Sequence, residues 1–278
     1  MVIAAITVGV ALAAAVALGR SRFRRRVDAE FEAMAAGPPE PAELVRAEAL
    51  AGLPAPVRRW LEGAGVVGRE RARTVLVLQR GRLHTAREAR WMPVVAEQHF
   101  AVDDPAFVWR MDARMLGFVP LCGRDRYVGG AGEMLVTVAG LVDLVRERGP
   151  KIDHGAMLRF LAEIMWFPSA ALRPYLRWEG LDDDRARATM THRGVTASAV
   201  FTFDEGGRPT AVTALRYYGA SGRLERWGGR NTRWRVVRGV EIPVRGEVVW
   251  TLADGEFVFF RWEIDDVETN RPARRWWP

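Results

Sequence analysis

Residues 107–115 alternate almost without a break: Phe107, Trp109, Met111, Ala113 and Met115 fall on one side, and Arg110, Asp112 and Arg114 on the other. Successive side chains of an extended chain point to opposite faces, so this pattern predicts a half-buried strand. The same reading applies to residues 74–79, 94–102, 133–142, 186–192, 196–203, 210–217, 233–237, 247–252 and 256–264. Asp204-Glu205-Gly206-Gly207, Arg238-Gly239 and Ala253-Asp254-Gly255 are short connections suited to antiparallel hairpins. Roughly ten strands in succession, with no strand–helix alternation, predict one meandering antiparallel sheet and argue against Rossmann-type and TIM-type folds.

One helical insertion interrupts the strands, from Asp153 as N-cap to about Met165. Met157, Leu158, Phe160, Leu161, Ile164, Met165 and Trp166 make most of its surface apolar, leaving Gly155, Arg159 and Glu163 as a narrow polar stripe at i, i+4, i+8. Such a helix requires burial on most sides. Pro168 ends it, and Ser169 caps a further short turn. The expected fold is mainly β with α: a large curved antiparallel sheet, a half-barrel, wrapped around a central helix and preceded by an N-terminal transmembrane helix.

That first helix is read from residues 1–19, which carry no charged side chain and run into Arg20, Arg22, Arg24, Arg25 and Arg26. At about 1.5 Å per residue this length just spans a bilayer core of roughly 30 Å. A secretory signal places its basic residues before the apolar stretch, whereas every arginine here follows it, so the pattern favours an uncleaved anchor. The small residues Ala13, Ala14 and Ala15 leave a cleavage site as the alternative. Counted literally, the arginines place the globular part in the cytoplasm. The organisation expected is an anchor (1–19), a basic, Pro-rich linker with short helices (20–54, including a helix over Val27 to Met34), the half-barrel (55–270) and a basic, Trp-rich tail (271–278).

The net charge of +7 suggests a polyanion partner until it is located. Five of those charges belong to Arg20–Arg26 and three to Arg271, Arg274 and Arg275, leaving residues 27–270 at about −1. That is no electrostatic footprint for nucleic acid. The lone cysteine, Cys122, excludes an intrachain disulfide and any cysteine-rich zinc site.

The cassette Asp153-His154-Gly155, Leu158-Arg159-Phe160-Leu161-Ala162-Glu163, Trp166-Phe167-Pro168-Ser169-Ala170 resembles the centre of an uncharacterised bacterial family whose members often carry one N-terminal membrane helix. Trp91-Met92-Pro93, Ala96-Glu97-Gln98, Phe107-Val108-Trp109-Arg110 and Phe201-Thr202-Phe203-Asp204 extend the likeness through most of residues 55–265. The resemblance implies a fold and no activity. The layout, strands around a helical plug, also resembles the half-barrels of LolA/LolB-like lipoprotein carriers. That second likeness implies a domain outside the inner membrane, against the orientation implied by the arginines.

Catalytic and metal signatures are missing. His84, His99, His154 and His192 form no local ligand pair, Asp182–Asp184 lacks an EF-hand spacing, no serine lies in a nucleophile elbow, and Gly129-Gly130-Ala131-Gly132 precedes a strand instead of the helix that a phosphate loop needs. No metal and no cofactor is expected. The leading expectation is a membrane-tethered, non-enzymatic protein that binds a lipid or other hydrophobic ligand through Asp153, His154, Arg159, Glu163, Trp166, Trp91, Trp109 and Tyr127. The alternatives are a hydrolase or isomerase with Asp153, His154, Arg159 and Glu163 in one pocket, and an assembly protein binding a membrane partner. The plain alternative for Arg159 and Glu163 is an ion pair on an exposed helix face, worth a few tenths of a kcal/mol.

Overall fold

The computed structural model describes residues 2–35, 42–219 and 221–270. Its thirteen strands form one antiparallel sheet built from two meanders. The first is β1 (Thr74–Leu83), β2 (Met92–Ala101), β3 (Ala106–Met115), β4 (Val119–Val128), β5 (Ala131–Val138) and β6 (Val142–Arg148). The second is β7 (Leu176–Gly180), β8 (Arg185–His192), β9 (Val195–Phe203), β10 (Pro209–Tyr217), β11 (Leu224–Val237), β12 (Val240–Leu252) and β13 (Gly255–Thr269). β1 pairs with β13 in the middle, so β6 and β7 are the two edges. The chain leaves the sheet at one edge, crosses its inner face as a helix, and re-enters at the other. The expected half-barrel around a central helix is the observed fold.

Three strands were not anticipated. The pattern over 133–142 predicts one strand where the structure has β5 and β6, because Ala139 and Gly140 both adopt positive φ (53° and 72°) and close a tight hairpin between them. β4 escapes a hydrophobic-pattern reading because Arg124, Asp125 and Arg126 put charges on both of its faces. β7 is a five-residue edge strand with little alternation to detect.

The first helix, α1, spans Val2–Ala35, so the arginine cluster lies within it and the stretch from Val27 to Met34 is its last part, not a separate short helix. Its side chains from Ile6 through Leu18 are largely exposed, and the segment from Ile6 is long and apolar enough to cross a membrane. Beyond Gly19 it lies on the outer face of β2–β5, where Phe23, Val27 and Phe31, four residues apart, bury against Val108, Cys122 and Leu135. Burying each of these three side chains contributes about 1.5–3 kcal/mol. Charges complete the contact. Arg20 and Arg24 both reach Asp112, Asp28 takes Arg110 at 2.5 Å, and Glu30 takes Arg124 at 3.2 Å. Positive charges that the positive-inside reading counted as free are thus partly committed to the sheet.

Short helical turns follow: a 3-10 turn at Ala47–Leu50 and α2 (Ala55–Gly63), whose Trp60 packs on Trp178, Phe201 and Phe203. The expected Pro-rich break at 37–41 and the tail with Trp276 and Trp277 lie outside the described residues. The central helix, α3 (Pro150–Glu163), begins a turn earlier than expected: Gly149 is the N-cap and Pro150 the first helical residue. Asp153 is therefore in the first turn, and its Oδ1 accepts a hydrogen bond from Gly132 N at 2.7 Å. Ser169 does not cap either; its Oγ accepts from Ala72 N at 2.9 Å. α3, the turns after it, α2 and β7–β9 fill one side of the cup with a continuous apolar core.

On the outer face Glu133 is buried, forms an ion pair with Arg124 at 2.7 Å and accepts a hydrogen bond from Arg148 at 2.6 Å, with Arg126 and Arg146 close by. Burial alone would raise its carboxyl, but these arginines outweigh it and hold the group at about 2, below its ordinary 4.5. A depressed carboxylate adds stability that is complete above 4.5 and is lost as the pH falls toward 2. Glu133→Gln is therefore expected to flatten the decline in urea midpoint across that acid window. Identical acid slopes in the two proteins would refute this role.

Candidate ligand-binding site

β3 shows how the sheet divides its work. Val108, Arg110 and Asp112 face α1, while Phe107, Trp109 and Met111 face α3. Between α3 and the inner sheet face lies a cavity of about 330 Å³. Its walls are mostly aromatic and aliphatic, with Trp109, Trp166, Trp227, Trp250, Trp262 and Phe260 among them. The exposed Lys151 lines one end, so the space reaches solvent there. Volume and lining are those of a small-molecule pocket with few polar anchors.

The polar stripe of α3 faces this cavity and not solvent. Gly155, Arg159 and Glu163 all line it, which overturns the plain reading of an exposed ion pair. Arg159 Nε donates to Glu163 at 2.8 Å, Nη1 to Asp125 at 2.8 Å and Nη2 to Gln98 Oε1 at 3.2 Å, while Gln98 Nε2 donates to Glu163 at 2.7 Å. The guanidinium also lies 4.7 Å from the Trp109 ring centre and 5.1 Å from that of Phe107. Burial disfavours the charge on Arg159, but Glu163 and Asp125 more than restore it. Burial pushes Glu163 above the usual carboxylate range, with Arg159 and Gln98 opposing. The cluster is a closed network that fixes α3 against β2 and β4.

Of the eight residues singled out from the sequence, the fold brings Trp109, Arg159, Glu163 and Trp166 to the cavity. The other four lie elsewhere. Asp153 holds the backbone of β5, as described. His154 packs edge-on against Tyr217 in an open depression with Pro150, Ser198, Leu215 and Leu224 that adjoins the cavity at Lys151 and Tyr217, and burial together with the nearby Arg216 charge lowers its pKa. Trp91 stacks on His84, with ring centres 4.5 Å apart, near the β1–β2 turn. Tyr127 is fully buried, its hydroxyl 2.8 Å from His192 Nδ1. The four groups of the hydrolase or isomerase alternative therefore do not converge on one concavity.

Sequence reasoning missed Arg216. It follows Val212 and Ala214 on the inward side of β10, so a charge on an apolar face was the available signal. Its guanidinium crosses α3 at Gly155: a Cβ there would lie 2.9 Å from Arg216 Nε, which explains a glycine inside a helix. Burial pushes its pKa down to about 10, so it remains a cation at neutral pH.

Fold and site together define a half-barrel whose central helix closes an aromatic-lined cavity. The chain belongs to the family of unknown function DUF6544, whose model matches residues 43–262. Among solved structures it is similar to a LolA superfamily protein from Nitrosomonas europaea, at 15% identity over 78% of this chain and 94% of that one, with a TM-score of 0.42. It is also similar to a domain provisionally named for outer membrane lipoprotein sorting from Vibrio parahaemolyticus (11% identity, 73% and 87% coverage, TM-score 0.42). A DUF1329 family protein from Desulfovibrio piger is similar at 10% identity over 84% and 96%, with a TM-score of 0.39. These likenesses concern the arrangement of sheet and helix alone. A comparison with curated proteins found no match.

Proposed function

We propose that this protein is a membrane-tethered, non-enzymatic binder that carries a hydrophobic ligand in the cup, with residues 1–19 as tether and 55–270 as binding domain. The observation that carries the reading is the apolar cavity of about 330 Å³ between α3 and the sheet. The apolar walls of such a space gain dispersion contacts from a hydrophobic guest. The tether's placement supports it. The turns β1–β2, β3–β4 and β5–β6 lie at one end of the sheet, and Gly19 packs against Ala139 and Leu141 at that end. Leu116, Phe118 and Leu141 in those turns are 80%, 73% and 52% exposed, an apolar rim where the apolar segment leaves the domain. Leu83 and Phe260, paired across β1 and β13 toward the same end, line the cavity.

The test is native mass spectrometry with solvent extraction on the full chain, released from lipid nanodiscs, alongside Val248→Trp. Val248 lines the cavity, and the larger ring fills part of it. One retained small amphiphile per wild-type chain, reduced at least about tenfold in the variant, is expected from the contacts displaced. Equal retention by both proteins, or none by the wild type, would overturn the reading.

A further inference from the structure

The cavity contains one cation with no bonded partner among the described residues. Arg159 spends its donors on Glu163, Asp125 and Gln98; Glu163 gives one oxygen to Arg159 and the other to Gln98, and Asp125 gives Oδ2 to Arg159, so both carboxylates act on Arg216 through charge alone and not through a bond. Arg216 lines the same space with no hydrogen-bond or ion-pair partner among the described residues, although a guanidinium carries five donors. Its charge rests on two indole faces, 4.9 Å from the Trp227 ring centre and 5.9 Å from that of Trp250. Beside it, the buried Trp227 Nε1 also has no acceptor among the described residues. Unmet donors in an apolar setting are costly, and an acceptor-bearing guest removes that cost. The exposed Lys151 at the cavity's end adds a second positive charge nearby, itself donating to Gly222 O at 3.0 Å.

We propose that the guest is a single-chain anionic amphiphile whose carboxylate or phosphate head is received by Arg216 and Trp227 Nε1, its chain lying among the aromatic walls. This deepens the ligand-binding reading above and rests on it. Carboxylate and phosphate are favoured because both offer planar or forked oxygen acceptors to a guanidinium, whereas a cationic head meets Arg216 and a neutral one leaves donors unmet. Size restricts the tail. A cavity of about 150 Å³ holds a six-carbon ring, so this one admits a chain of about a dozen carbons and not the paired chains of a phospholipid.

The test uses the full chain in amphipol with dodecanoate, dodecyl phosphate and dodecanol as probes. Binding is followed through the cavity tryptophans, and Val248→Trp serves as the blank for partition into the amphipol. Wild type is expected to prefer each anion over dodecanol by about ten- to a hundredfold, the range of a charge-assisted hydrogen bond. Arg216→Met should collapse that ratio to near one, and Arg216→Lys should keep part of it. The tighter of the two anions names the head. Equal wild-type affinity for dodecanol and both anions, or a preference that survives Arg216→Met, would overturn the anionic head while leaving the cup intact. If the wild type binds none of the three, the ligand-binding reading fails with it.

Discussion

Arg159→Met is expected to destabilise the protein by about 3–5 kcal/mol, because it keeps most of the side-chain volume while stranding two buried carboxylates. Asp125 and Glu163 each lose a 2.8 Å partner, and neither has another cation bonded to it. The loss should depend on pH. Glu163 is already raised by burial, and a carboxyl with a raised folded pKa adds stability at low pH that disappears as the pH rises through the folded value. The penalty in urea denaturation should therefore be smaller at pH 5 than at pH 8. Adding Asp125→Asn and Glu163→Gln to Arg159→Met should recover much of the stability, since the desolvation cost leaves with the charges. A single-variant cost below about 1 kcal/mol would mean that the network behaves as a solvated surface pair.

The same network shows where sequence reading stops. On the helix alone, Arg159 and Glu163 are four residues apart and indistinguishable from a surface pair. What makes them interior is the other half of the contact, Gln98 on β2 and Asp125 on β4, and their approach depends on sheet curvature that no local pattern encodes. β3 was legible because one of its faces is apolar throughout; β4 was not, because Arg124 bonds outward to Glu30 and Glu133 while Asp125 bonds inward to Arg159. Sequence analysis assumes that a charged face is a wet face, and this sheet is covered on both. Arg216 is the reverse case, a charge displayed on an apolar face, and it is the residue to which we assign the head of the proposed guest. The spacing of Phe23, Val27 and Phe31 is also visible, but the surrounding arginines fit a membrane surface as well as they fit the charged outer face of the sheet.

That outer contact carries the last expectation. Val27→Asp should release the second half of α1 from the sheet and expose Cys122. Val27 is fully buried among Phe23, Phe31, Val108, Cys122 and Leu135, and Arg110, which lies over the Phe31 ring, is already paired with Asp28 and Glu97. A lone carboxylate there costs several kcal/mol, comparable with what the three apolar side chains of α1 contribute. Cys122 reports the result. Burial, with Asp112 adding to it, pushes its thiol up to about 11, so at pH 8 the native protein holds little thiolate and shields it beneath the helix. Release returns the thiol toward its ordinary range and opens access, and alkylation at pH 8 should accelerate by at least about a hundredfold. Val27→Ala should give a smaller increase, because it loses contact without introducing a charge. Unchanged protection in Val27→Asp would show that α1 is not what covers the thiol. The helix grips β3 and β4 from outside, whereas Trp109 and Asp125 of those strands face the cavity, so tether and cup share a wall but not a surface. Ligand retention should therefore survive in Val27→Asp even as Cys122 becomes reactive, which separates attachment to the tether from binding in the cup.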